Sequence, residues 1–88
     1  MNKLKIRYSK KSLKFLAKQE KSTVIRIRNA VEKLTYTPPE GDIKELKGSK
    51  GKMRLRVGSF RIIYWYSDEN GIEILFIDEI GNRGDIYK

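Results

Sequence analysis

The stretch Lys52-Met53-Arg54-Leu55-Arg56-Val57-Gly58-Ser59-Phe60-Arg61-Ile62-Ile63-Tyr64-Trp65-Tyr66 decides the fold. Lys52 to Val57 alternates basic and apolar side chains, Gly58-Ser59 is a two-residue turn with glycine in the first central position, and Phe60 to Tyr66 continues as a second strand. The turn predicts a hairpin in which Val57 pairs with Phe60, Arg56 with Arg61, Arg54 with Ile63 and Lys52 with Trp65. Successive side chains of a strand point to opposite faces. One face therefore carries Met53, Leu55, Val57, Phe60, Ile62 and Tyr64, which is a core. The other carries Lys52, Arg54, Arg56 and Arg61, with Ile63 and Trp65 beside them. Arg56 opposite Arg61 is a like-charge cross-strand pair, destabilising by a few tenths to ~1 kcal/mol. Such a pair calls for a neighbouring acid, a polyanionic ligand or ample water. Asp78, Glu79 and Asp85 are candidate acids for a structural ion network. The alternative is a phosphate-binding sheet face, because guanidinium groups grip phosphate bidentately and lysine adds a point charge.

Outward from the hairpin, Leu4 to Tyr8 alternates apolar and basic residues and reads as a first strand. Ser9 is an N-cap for a helix with Leu13, Leu16 and Ala17 inward and Lys10, Lys11, Lys14 and Lys18 outward. Ser22 or Thr23 caps a longer helix, along which Val24, Ile27, Val31 and Leu34 form one apolar stripe while Arg26, Arg28 and Lys33 project elsewhere. Thr37-Pro38-Pro39 stops it. Residues 38–51, with two prolines and three glycines, read as a loop tacked down by Ile43 and Leu46. Asp68-Glu69-Asn70-Gly71 is a turn, Ile72 to Ile77 a strand buried on both faces, and residues 81–88 a short polar tail. The predicted fold is α+β: an N-terminal strand, an antiparallel helix pair, then a three-stranded antiparallel meander with the helices on the Met53/Leu55/Ile62/Tyr64 side.

Eighty-eight residues make one domain, 1–88, burying roughly 60–65% of the unfolded surface. Cysteine and histidine are both absent. That excludes disulfide scaffolds, thiol nucleophiles, Ser–His catalysis and the usual zinc ligands. No apolar run is long enough to span a membrane, the N-terminus has no apolar signal core, and the expected location is the cytoplasm. Twenty basic residues against eleven acidic give +9. The excess is concentrated: residues 1–35 carry eleven basic and two acidic side chains, 36–66 seven and three, and 67–88 two and six. Such a field attracts polyanions and makes association salt-sensitive.

The run from Leu46 to Tyr64 resembles the signature of the RelE/ParE toxin superfamily. The closing Ile77-Asp78-Glu79-Ile80-Gly81-Asn82-Arg83-Gly84-Asp85-Ile86-Tyr87 is similar to its C-terminal motif. The resemblance covers the whole chain and fits the opening strand, helix pair and double-proline loop in order. It implies the toxin of a type II toxin–antitoxin system, and for a RelE-like member a ribosome-dependent mRNA endoribonuclease. Such members cut in the A site by attack of the ribose 2′-hydroxyl, without metal or cofactor. Lys52, Arg54, Arg61, Arg83 and Tyr87 occupy the positions of the catalytic set, with Arg56 supporting them. Arg61 and Arg83 would clamp the scissile phosphate. Lys52, made easier to deprotonate by surrounding cations, or an ionised Tyr87 would accept the 2′-hydroxyl proton. Many relatives carry His where this chain has Asn82, and Asn cannot shuttle a proton.

Lys10, Lys11, Lys14, Lys18, Arg26 and Lys50 are candidate RNA-binding residues, turned toward ribosomal RNA. The resemblance further implies a monomeric toxin that enters a higher-order complex with a cognate antitoxin, whose acidic or amphipathic segment covers the basic cleft. The same scaffold serves ParE-like inhibitors of DNA gyrase, which act by protein binding, and a non-catalytic RNA-binding module remains a third reading.

Overall fold

The computed structural model describes residues 4–82. Element order is β1 (Lys5–Tyr8), α1 (Lys10–Ala17), α2 (Lys21–Glu32) with a 3-10 turn at Lys33–Thr35, β2 (Asp42–Glu45), β3 (Met53–Val57), β4 (Phe60–Glu69) and β5 (Ile72–Asn82). The strands form one five-stranded sheet in the order β1-β5-β4-β3-β2, with β1 parallel to β5 and every other neighbour antiparallel. This is the expected α+β arrangement with one strand more than the meander reading. No helix among the described residues is long and apolar enough to cross a membrane.

The extra strand is β2, inside the segment read as a loop. Its four residues, Asp42-Ile43-Lys44-Glu45, contain one apolar side chain, so local pattern gives no strand signal. Pairing with β3 makes it one, and it forms a charged outer edge of the sheet. Ile43 packs against the core, as expected.

The hairpin register is the predicted one: Val57 opposite Phe60, Arg56 opposite Arg61, Arg54 opposite Ile63. The ladder ends at Met53 opposite Tyr64, so Lys52 lies just outside β3. Gly58 adopts φ 59°, and a Cβ there would lie 2.5 Å from Nη2 of Arg26, whose guanidinium rests on the turn. β5 runs five residues beyond the expected end. Ile63 pairs with Glu79 and Tyr64 with Ile77, leaving Asp78 as a bulge. The extra residue resets the alternation, so that Leu75, Ile77 and Ile80 all face the core.

That core joins Leu55, Ile62, Tyr64, Leu75, Ile77 and Ile80 of the sheet to Leu16 of α1 and Ile27, Val31 and Leu34 of the second helical segment. Ile27 and Val31 are fully buried and Leu34 nearly so, as the stripe required. The start of α2 departs from expectation. Its N-cap is Glu20, which makes no side-chain capping bond, and neither Ser22 nor Thr23 caps it.

The inward face of α1 is also rotated. Leu13 is 53% exposed and Ala17 is exposed, whereas Ser12 and Leu16 are buried. The reason is the edge of β5. β1 stops pairing at Ile77, and there the Ser12 hydroxyl donates to the Ile77 carbonyl (3.0 Å) and the Ser9 hydroxyl to that of Asp78. The Ser9 backbone N–H also donates to the Ile77 carbonyl (2.9 Å), so the Ser12 hydroxyl supplies that oxygen's second hydrogen bond while the Ser9 hydroxyl serves Asp78. Ser9 also caps α1 as predicted, accepting from Ser12 N at 3.1 Å.

Candidate nucleic-acid interface

Alternation along β2, β3 and β4 builds the face turned away from the helices as rows across the strands. One row is Asp42, Arg56 and Arg61, ending at Gly81, which has no side chain. The next is Lys44, Arg54, Ile63 and Glu79. A third brings Trp65, Phe76 and Arg7 together. A cavity of about 510 Å³ opens over the first two rows, lined by Lys44, Glu45, Leu46, Lys47, Arg54, Arg56 and Arg61.

Arg54 and Arg61 are 5% and 4% exposed, which is unusual for arginine. For Arg54 and Arg56 the compensating acid is neither Asp78 nor Glu79. Asp42, on the strand the sequence concealed, places one carboxylate oxygen 3.5 Å from Arg54 Nη1 and the other 3.9 Å from Arg56 Nε. The second contact exceeds hydrogen-bond length, so Arg56 Nε is buried without a hydrogen-bond partner. Glu79 pairs with Lys11 at 3.8 Å, Asp78 is the bulge residue, and Asp85 lies outside the described residues. With five cations lining the cavity, Glu45 and Asp42 leave a net positive charge. The side chains of Asp42 and Arg56 are 57% and 38% exposed, so the cleft is open to solvent. It can take up phosphate groups by forked guanidinium hydrogen bonds.

Of the sequence-predicted set, Arg54, Arg56 and Arg61 meet in this cleft. Lys52 does not line it: its ammonium sits 5.2 Å from the centroid of the Trp65 ring. Arg83 and Tyr87 lie outside the described residues. Lys10, Lys11, Lys14 and Lys18 are exposed along and just after α1, and none of them lines the cleft. Arg26 lines a separate hollow of about 340 Å³ with Lys33 and Arg56. Lys50 is exposed in the loop before β3. Sequence reasoning missed Lys44 and Lys47. Lys44 would have followed from recognising β2, because it stands opposite Arg54.

Three tyrosines are held neutral. Burial raises the phenols of Tyr8, Tyr64 and Tyr66 above their ordinary value. Glu73 adds to the rise at Tyr66, and Arg28 and Arg54 only partly oppose it at Tyr8 and Tyr64. None of these three supplies a phenolate near neutral pH.

Residues 6–87 match the family model described as the ParE toxin of type II toxin–antitoxin systems, parDE. The chain belongs to the RelE/ParE toxin superfamily. It is thus a type II toxin. Its fold is shared with the toxin in the archaeal RelE–RelB complex from Pyrococcus horikoshii OT3, at 25% identity and a TM-score of 0.70 over 93% of this chain and 97% of that one. The RelB–RelE complex from Methanococcus jannaschii gives 23% identity and a TM-score of 0.69 over 91% and 93%. A YoeB/ParE toxin from Agrobacterium tumefaciens gives 20% and 0.73 over 89% and 97%. The toxin has no match among curated protein sequences.

Proposed function

We propose that this toxin is a RelE-like endoribonuclease that cuts messenger RNA in the ribosomal A site. The observation that carries the reading is the open cleft in which Arg54, Arg56 and Arg61 converge with Lys44 and Lys47 around a single paired carboxylate. In the reaction a ribose 2′-oxygen attacks the adjacent phosphorus and the bond to the 5′-oxygen breaks. The products are a 2′,3′-cyclic phosphate and a 5′-hydroxyl. A base takes the 2′-hydroxyl proton and an acid returns one to the departing 5′-oxygen. Arg61 and Arg54, with Arg83, stabilise the pentacoordinate phosphorane by charge-assisted hydrogen bonds. Lys52 or Tyr87 is the base. Lys52 must leave Trp65 to serve, a movement of one flexible side chain. The lysines of α1 face ribosomal RNA.

The Pyrococcus and Methanococcus toxins are complexed with RelB. For this toxin we propose a cognate antitoxin whose acidic or amphipathic segment covers the same cleft, the pair acting in the cytoplasm.

The ParE name of the matched family, together with Lys52 held over an indole, favours a second reading: inhibition of DNA gyrase by protein binding. Primer extension on a reporter message after brief induction separates the two. The nuclease gives new 5′ ends confined to translated codons, lost in Arg61→Ala. A gyrase inhibitor leaves the message intact and stops replication.

A further inference from the structure

The row beyond the cleft contains a feature that phosphate binding does not explain. Trp65 and Phe76 are cross-strand partners on the face turned away from the helices, with ring centroids 4.9 Å apart and planes tilted by 36°. Neither belongs to the buried cluster that sheet and helices share, and both are only half-buried. Cations stand at both ends of the pair: Lys52 over the indole at 5.2 Å, and Arg7 beside Phe76 in the register of β1 and β5. Arg61, Ile63 and Trp65 follow one another on the same face of β4. The backbone of Trp65 therefore lies about 13 Å along the strand from that of Arg61.

An aromatic surface next to a cationic groove is the arrangement that holds an unpaired nucleic-acid strand: cations track the phosphates, and rings stack on bases whatever their identity. We infer that Trp65 and Phe76 form a stacking platform for an unpaired nucleobase of the same strand whose phosphates enter the Arg54–Arg56–Arg61 cleft. The inference rests on the RNA-binding reading of that cleft and adds a base contact to it. Lys52 links the two parts. Without a ligand its ammonium occupies the indole face at the outer part of the cation–π range, within ~6 Å of the centroid. When a base displaces it, the same side chain is free to turn to the neighbouring phosphate.

Trp65 is the only tryptophan, so its emission reports the platform directly. The full-length toxin is titrated with a short single-stranded 2′-O-methyl RNA, which cannot be cleaved, and separately with inorganic polyphosphate of matched charge. Binding of each is followed independently by calorimetry. The platform predicts saturable quenching of Trp65 by the oligonucleotide and little change with polyphosphate. Trp65→Ala should weaken the oligonucleotide by roughly 5- to 100-fold, the range for one stacked base, and leave polyphosphate affinity within about twofold. That second affinity also certifies a folded cleft, and Trp65→Phe should restore most of the oligonucleotide binding. Oligonucleotide binding with unchanged emission, or equal losses for both probes in a folded Trp65→Ala, overturns the platform alone. Failure of the unsubstituted toxin to bind either probe overturns the platform and the RNA-binding reading together.

Discussion

The two faces of the central hairpin are made from the same dozen residues read alternately, and they obey opposite rules. Leu55, Ile62 and Tyr64 point toward α2 and are almost fully buried among apolar neighbours. Arg54, Arg56 and Arg61 point the other way and gather charge that folding alone would disperse. On the first face, burial of apolar surface stabilises the chain. On the second, desolvating guanidiniums and setting Arg56 opposite Arg61 cost stability, and Asp42 offsets part of that cost at Arg54 and Arg56. One face therefore accounts for the fold and the other carries the charge on which the proposed function depends, and substitutions should separate stability from function accordingly.

The largest effect tests the buried side. Ile27→Ala removes a fully buried side chain beneath the sheet. It should lower unfolding free energy by about 2–5 kcal/mol, measured by urea denaturation, while RNA affinity persists below the midpoint. If affinity falls in step with stability, the faces are not independent. The cleft gives the converse. Arg61→Met keeps much of the volume and removes a buried charge. Cleavage should drop by about 10²–10³-fold, as for loss of one donor to a transition-state oxyanion, a loss beyond what any change in melting temperature accounts for. A marked loss of stability would mean that Arg61 is there for the fold.

Much of this contrast is legible in the sequence, because a two-residue turn at Gly58-Ser59 fixes register and register fixes faces. The arginine cluster followed from that alone. What escaped depended on partners distant in sequence. β2 has too few apolar residues to announce itself, and with it went Asp42 and Lys44. The Asp78 bulge breaks the two-residue period, hiding the second half of β5. α1 turned a serine inward where periodicity favoured Leu13 and Ala17, because its buried hydroxyl finds a partner in the Ile77 carbonyl, sixty-five residues away in sequence.

That last point sharpens the comparison at the sheet edge. Ser12→Ala leaves the Ile77 carbonyl with the Ser9 N–H as its remaining donor and should cost about 0.5–1.5 kcal/mol, readable as a lower urea midpoint with cleavage unchanged. A neutral result would show that the edge of β5 needs no cap from α1. The smallest effect concerns pH. The folded state holds the phenols of Tyr8, Tyr64 and Tyr66 protonated to higher pH than the unfolded chain. Their contribution is complete below the ordinary tyrosine value of ~10 and is lost as pH rises beyond it. Melting temperature should fall above that pH, and Tyr64→Phe should make the fall shallower. An identical slope in that variant would remove burial of Tyr64 as the cause.

The central claim is that the arginine-lined face positions RNA for attack by its own 2′-hydroxyl. The most direct measurement uses purified toxin and ribosomes carrying a short end-labelled message, with the termini of the fragments identified chemically. The account predicts a 2′,3′-cyclic phosphate on the upstream fragment and a 5′-hydroxyl on the downstream one, both absent with Arg61→Met. Intact message at toxin concentrations that saturate the ribosome, or fragments ending in a 5′-phosphate, would contradict it.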